Sequence, residues 1–142
     1  MMADILLMVP MAADPESVYR ALTTQEGLAS WWTQAVEAEP GVGAVNEFRF
    51  EGGQVVMRMK VADLAAPEKV VWEVQDPAPP EWGGTRVTYD IRPTEEGVQL
   101  VFGHRGWDST EGSFPAINYN WAYYLTSLKE YVEGGVGFPH ET

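Results

Sequence analysis

The sequence contains no cysteine, 9 basic residues and two histidines. Without cysteine the chain forms no disulfide and has no thiolate nucleophile. Its 21 acidic residues give a formal net charge of −12, which repels nucleic-acid phosphates and anionic lipid headgroups. A metal centre is disfavoured because it needs several histidine, cysteine or carboxylate side chains at ligand spacing. We therefore expect no nucleic-acid partner and no metal, and no other cofactor is indicated.

Long hydrophobic runs are also missing, and no segment could span a bilayer. Residues 5–13 are apolar, but Asp4 precedes them without any basic residue and Pro10 interrupts them. This pattern favours a first β-strand over a secretion signal, so we expect a cytoplasmic protein. With 142 residues, 45% of them hydrophobic, the chain is predicted to form one domain over residues 1–142 with its own core.

The longest periodic segment runs from Phe114 to Gly135. Its apolar side chains fall on one arc at helical spacing, which predicts an amphipathic helix. Ser113 is expected to cap its start, and Gly134 and Gly135 to end it. The apolar arc consists of Phe114, Ile117, Trp121, Tyr124, Leu125, Leu128 and Val132.

The first part of the chain predicts one strand and two short helices. Ile5–Met11 is the predicted strand. Asp14 then offers a helix cap with proline at the first helical position. A second short helix is predicted around Gln25–Trp32, and the acidic segment Glu37–Gly43 is expected to be a loop.

Five stretches then alternate apolar and polar residues, near 46–51, 55–61, 70–75, 87–92 and 98–102. Short turns join most of them, and a proline-rich loop at Asp76–Gly84 separates the third from the fourth. This pattern predicts an antiparallel meander with one apolar face. Such a face needs a cover, and only the C-terminal helix is long enough. The predicted class is therefore α+β, with a pocket expected between the sheet, the long helix and the two short helices.

Four stretches resemble a known family in their order and spacing: Asp14–Thr23, Leu28–Trp32, Gly106-Trp107 and the segment from Trp121 to Gly137. They are similar to the helix-grip fold of START-type lipid-transfer domains and pollen allergens (the SRPBCC superfamily), and most to its activator of heat shock protein 90 ATPase homologue (AHSA-like) branch. The resemblance implies a curved antiparallel sheet wrapped around the C-terminal helix, with an apolar cavity between them. It also implies binding of lipids, polyketides or flavonoid-like compounds, cyclase activity in some relatives, and stimulation of a chaperone ATPase by the eukaryotic namesakes.

Six Trp, six Tyr and five Phe give the inner faces an aromatic character. Packing in the core is a sufficient explanation for any one of these aromatic residues. Taken together and with the family resemblance, the aromatic residues favour a cavity that they line. Trp82, outside any periodic segment, either gates the pocket or caps one end of the sheet. The candidate ligand-binding residues are Trp31, Trp32, Phe48, Phe50, Met57, Met59, Trp72, Tyr89, Phe102, His104, Trp107, Trp121 and Tyr124.

Two polar residues, Asn46 and His104, occupy inward positions at the ends of apolar rows. Such groups can orient a ligand in an apolar cavity. His104 could also act as a general acid or base with Asp108 or Tyr124, or simply bond to a neighbour. The other histidine, His140, lies in a segment expected to fray.

Three functions follow from these observations. The leading hypothesis is a monomeric, non-enzymatic carrier or sensor of an apolar, aromatic or lipid-like small molecule, since no catalytic constellation is present and no catalytic residue is assigned. The first alternative is an enzyme of the polyketide cyclase/dehydratase type that uses His104. The second is an interaction module that regulates a chaperone ATPase, with a chaperone or another protein as its partner.

Overall fold

The computed structural model describes residues 2–141 and is built around a seven-stranded antiparallel sheet. The strand order is β1-β7-β6-β5-β4-β3-β2. The strands are β1 (Ala3–Met11), β2 (Val36–Glu37), β3 (Val45–Phe50), β4 (Val55–Ala65), β5 (Lys69–Gln75), β6 (Arg86–Thr94) and β7 (Gly97–Trp107). The helices are α1 (Pro15–Thr23), α2 (Gln25–Trp31) and α3 (Phe114–Gly134). The predicted α+β fold, with a curved sheet and a long C-terminal helix, is confirmed. None of the described helices combines the length and apolar character needed to cross a membrane.

Every predicted strand is present, and β2 is an addition. Val36 and Glu37 pair with Phe48 and Glu47 at the start of the segment that was expected to be a loop. The prediction of a loop from Glu37 was therefore wrong at its first residue. The strand was missed because two residues are too few to show an alternating pattern. The strands β6 and β7 also extend beyond the predicted stretches 87–92 and 98–102, because Thr94 pairs with Gly97 across a two-residue turn.

The two short helices meet at Thr24. The α1 helix begins at the predicted cap, where Asp14 Oδ1 accepts the Ser17 N–H at 2.8 Å. It ends where the Thr24 N–H donates to the carbonyl of Arg20, and the Thr24 hydroxyl oxygen then accepts the Gly27 N–H at 3.0 Å to start α2. One threonine thus ends one helix and caps the next, and this brings the two helices into close contact.

The α3 helix lies against the concave face of the sheet, with Trp121, Leu125 and Leu128 buried. It ends as predicted at Gly135, which has a φ of 84°. The predicted cap at Ser113 is wrong, because its φ of −81° and ψ of −12° are helical and its side chain accepts no capping hydrogen bond. Instead, the Ser113 N–H donates to Oε1 of Glu81 at 3.1 Å, so the cap comes from the β5–β6 loop.

The residues after α3 fold back onto the domain. The Phe138 N–H donates to the buried Ser127 hydroxyl oxygen at 2.7 Å. The His140 N–H donates to the Trp32 carbonyl at 2.8 Å, and the His140 carbonyl accepts the Gln34 N–H at 3.0 Å. The prediction of a frayed end was therefore wrong. The C-terminal segment is held mainly through hydrogen bonds of its backbone groups, and such bonds leave no periodic pattern in the sequence from which they could be predicted.

The close approach of α1 and α2 gives a test of the packing. A Cβ at Gly27 would lie 2.6 Å from the Ala21 Cα, whereas nothing lies within 4 Å of a Cβ at Gly134, at the end of α3. We expect Gly27→Ala to lower the free energy of unfolding by about 1–3 kcal/mol through overpacking. Gly134→Ala should leave it unchanged or slightly higher. Urea denaturation of both variants measures this, and equal stability of the two would contradict the packing.

Candidate functional site

A cavity of about 260 Å³ opens between the first half of α3, the β3–β4 hairpin, the β5–β6 loop and the C-terminal segment. An engineered apolar cavity of about 150 Å³ holds benzene, and ordinary ligand pockets begin near 300 Å³. The cavity is thus large enough for a molecule of one or two rings. It is lined by Trp32, Phe50, Glu51, Val55, Met57, Pro79, Trp82, Ile117, Asn120, Trp121, Tyr124 and His140.

Regular spacing brings most of the lining together. The α3 helix contributes Ile117, Asn120, Trp121 and Tyr124, which share one face because they are spaced by three and four residues. Val55 and Met57 on β4 are two residues apart and so point to the same side of the sheet. These two elements form the walls of the cavity, while the loops and the C-terminal segment form its rim.

The rim is organised by a contact between Glu51 and His140. The Glu51 N–H donates to Nε2 of His140 at 3.1 Å, and the His140 ring lies 5.2 Å from that of Phe50. Because Nε2 accepts this hydrogen bond, the imidazole in this arrangement is neutral and protonated on Nδ1. The C-terminal segment is thereby joined to the end of the β3–β4 hairpin.

Tyr124 provides a hydroxyl group close to this rim. Burial, and then the neighbouring Tyr123 and the negative charge of Glu51, raise the pKa of Tyr124 above its usual value of 10.0. The phenol therefore stays protonated at neutral pH and can donate a hydrogen bond. Asn120, on the same face of α3, adds an amide that can donate or accept.

Of the thirteen candidate residues, the structure places five along the cavity: Trp32, Phe50, Met57, Trp121 and Tyr124. The other eight are buried in the core, where several of their rings contact one another; those of Trp72 and Tyr89, for example, lie 5.0 Å apart. These eight residues are Trp31, Phe48, Met59, Trp72, Tyr89, Phe102, His104 and Trp107. They surround the cavity residues without lining the cavity itself.

The lining also includes residues that were not candidates. Ile117 and Val55 belong to periodic segments, so the inward direction of their side chains could have identified them as candidates. Asn120 has the same helical spacing as its apolar neighbours and could have been found from that spacing. The remaining members, Glu51, Pro79, Trp82 and His140, come from irregular segments, and only Trp82 had a signal, its isolated position in the proline-rich loop.

His104 is fully buried and takes part in a continuous chain of hydrogen bonds. The Trp121 indole N–H donates to Nδ1 of His104 at 3.0 Å. Nδ1 is therefore the acceptor, and the ring proton lies on Nε2, which donates to the Thr85 hydroxyl oxygen at 2.9 Å. The Thr85 hydroxyl in turn donates to the Trp82 carbonyl at 2.6 Å. One neutral tautomer satisfies every member of the chain.

This arrangement determines what His104 can do. Burial lowers its pKa from 6.5 to about 3. Within residues 2–141 the partners of its ring nitrogens are Trp121 and Thr85, and not Asp108 or Tyr124. His104 therefore positions Trp121 and, through Thr85, Trp82. The other polar candidate, Asn46, is also buried, and its side-chain oxygen accepts the Glu39 N–H at 3.0 Å.

A metal site has no support from the geometry of residues 2–141. The structure groups no three of their His, Asp or Glu side chains where they could hold an ion. Among residues 2–141, two buried indole N–H groups, those of Trp82 and Trp107, have no hydrogen-bond partner. Because indole nitrogen only donates, neither group can ligate a metal ion.

The buried state of His104 predicts a pH dependence of stability. The unfolded chain takes up a proton near pH 6.5, whereas the folded chain resists protonation until about pH 3. Stability should therefore fall as the pH drops through this window, by up to about 1.4 kcal/mol per pH unit. The free energy of unfolding of wild type and His104→Gln, measured across this pH range, isolates the contribution of His104, because the other titratable groups are present in both proteins. Equal slopes, or an imidazolium signal from His104 near pH 6.5 in the ¹⁵N NMR spectrum of the folded protein, would contradict the prediction.

Comparison with known proteins places this architecture in a family. The solution structure of the Aha1 dimer from Colwellia psychrerythraea is 33% identical, with a TM-score of 0.87 over 95% of this chain and 99% of that chain. A crystal structure from Staphylococcus saprophyticus shares the fold at 18% identity, with a TM-score of 0.79 over 96% of each chain. A protein of the dynemicin biosynthetic locus shares it at 18% identity, with a TM-score of 0.78 over 94% of this chain and 48% of that chain.

No protein of curated function matches the sequence. The family model described as activator of Hsp90 ATPase homolog 1-like protein matches residues 12–133, which run from the end of β1 to the end of α3. This range contains every cavity residue except His140. The chain therefore belongs to the activator of Hsp90 ATPase homolog 1-like family.

Proposed function

We propose that the protein is a carrier or sensor that binds a small apolar molecule with an aromatic ring in the cavity beside α3. The observation that carries this proposal is the lining itself. Three tryptophans, one tyrosine and one phenylalanine surround a space of about 260 Å³, with Val55, Met57 and Ile117 filling the intervals. Aromatic walls with a few polar groups at the rim are typical of ligand sites.

The size of the cavity favours one ligand class over another. A volume of about 260 Å³ accepts one or two rings, whereas a long acyl chain would extend out of it. The aromatic ligand is therefore favoured over the lipid-like one. The methionine side chain of Met57 can adapt to different ring shapes because it is flexible and polarizable.

The geometry does not favour a cyclase that uses His104. Both ring nitrogens of His104 are engaged by Trp121 and Thr85, and the ring does not line the cavity. A general acid or base must reach the proton that it transfers. We therefore keep His104 as a positioning residue in the proposed binding function.

The proposal is tested by filling the cavity. Ile117→Trp should weaken binding of 2-naphthol at least about tenfold, because the larger ring occupies the space of the ligand. Tyr119→Trp is the matched control, since this position on the same helix is 72% exposed. Titrations followed through the indole N–H signals of Trp32, Trp82 and Trp121 report occupancy.

Saturable shifts in wild type and in Tyr119→Trp, lost in Ile117→Trp, support the proposal. Ile117→Phe serves as a smaller filling variant if tryptophan at this position unfolds the protein. Unchanged affinity in a folded filling variant, or shifts that never saturate in wild type, would overturn it.

A second candidate function is regulation of a chaperone ATPase, which the family description and the Colwellia relative favour. The outer face of α3 offers an aromatic contact surface, where Tyr123 packs against Phe138 with ring centroids 5.0 Å apart. We expect the protein to change the rate of ATP hydrolysis by a purified Hsp90-type chaperone. Tyr123→Ala should reduce the effect and Ile117→Trp should not. An unchanged rate with excess wild-type protein would remove this candidate.

A further inference from the structure

The formal charge around the cavity has one sign. Among the described residues that line it, Glu51 carries the charge, and no lysine or arginine is present. His140 adds no positive charge in this arrangement, because its Nε2 accepts the Glu51 N–H. The chain as a whole carries a formal charge of −12, which reinforces the negative potential at the mouth.

The aromatic walls add to this potential. The ring of Trp121 lies 5.0 Å from that of Trp32 and 6.4 Å from that of Trp82. On the other side the rings of Phe50 and Tyr124 are 6.3 Å apart. The face of an aromatic ring carries negative charge density, so a cation that lies against a ring face in this space is attracted and an anion there is repelled.

The position of Glu51 is fixed by its backbone. Its φ of 54° is in the left-handed region, which is uncommon for a residue with a side chain. The two glycines that follow also have positive φ values, of 65° and 91°, and complete the tight turn between β3 and β4. The hydrogen bond to His140 holds this conformation. The backbone of Glu51 is thus held at the rim in an unfavourable conformation, as is found at functional sites, and its exposed side chain belongs to the cavity lining.

We propose that the cavity selects a cationic ligand, an arylalkyl ammonium ion whose positive charge lies between the aromatic rings and the Glu51 carboxylate. This inference rests on the proposed function and specifies its ligand class. An aromatic molecule with a carboxylate is disfavoured, because it would approach Glu51 and the ring faces with the same sign of charge. Fatty acids are disfavoured for the same reason, in addition to their length.

The test compares a cation with a neutral ligand of the same shape and adds an aromatic anion. Benzyltrimethylammonium is the cation, neopentylbenzene is its neutral isostere, and phenylacetate is the anion. Affinities are measured by the indole N–H titration in wild type, Glu51→Gln and Glu96→Gln. The last variant changes the net charge by the same one unit, but Glu96 lies in the β6–β7 turn, away from the cavity.

We expect the ratio of cation to neutral affinity to fall about fivefold in Glu51→Gln, which is the upper end for an ion pair at an exposed site. The ratio should stay within about twofold of wild type in Glu96→Gln, because exposed charges at a distance are screened. Phenylacetate should bind most weakly to wild type.

The outcomes separate this inference from the proposed function. If the neutral probe binds but Glu51→Gln leaves the ratio unchanged, or if phenylacetate binds as tightly as the cation, the selection of a cation is overturned and the cavity remains a binding site. If the ratio falls equally in Glu51→Gln and Glu96→Gln, the effect belongs to net charge and the role of Glu51 is overturned. If none of the three probes binds, the proposed function fails, and this inference fails with it.

Discussion

The contact between Trp121 and the concave face of the sheet determines where the long helix lies. The Trp121 ring is 4.6 Å from that of Phe102, and its indole N–H donates to His104. A buried indole N–H without an acceptor would cost free energy, so this hydrogen bond stabilises the observed position of the helix. The same histidine reaches Thr85 and, through it, the loop that carries Trp82. One chain of hydrogen bonds therefore fixes the side chain of Trp121 and the backbone that carries Trp82.

The helices and the long strands of this fold were predictable because their apolar residues follow regular patterns in the sequence. An apolar run identified β1, and alternation identified β3 to β7 and placed His104 and Asn46 on the inner face, where both are buried. Helical spacing identified α3, and the caps at Asp14 and Gly135 were readable as single residues. Each of these features depends on residues close together in the chain, so a sequence is sufficient to find it.

The rest of the site could not be predicted, since it depends on contacts between distant segments. Glu51 and His140 are 89 residues apart, and their contact involves a backbone N–H that any residue could supply. The carboxylate that caps α3 comes from Glu81, 32 residues before Ser113. Periodicity also shows only that a side chain points inward. Whether it meets another side chain, as Trp72 meets Tyr89, or an empty space, as Trp121 does in part, depends on the packing of all the elements.

The pairing of β1 with β7 has a consequence for how this protein is made. The first strand finds its hydrogen-bonding partner only in the last strand, with Met11 opposite Val98 and Leu7 opposite Phe102. On the ribosome β1 must therefore wait, unpaired, until β7 has been synthesised. Such non-local pairing slows folding and exposes apolar residues during synthesis. The hairpins from β3 to β7 involve neighbouring segments and can form earlier, so the arrival of β1 and α3 is expected to complete the domain in a late, cooperative step.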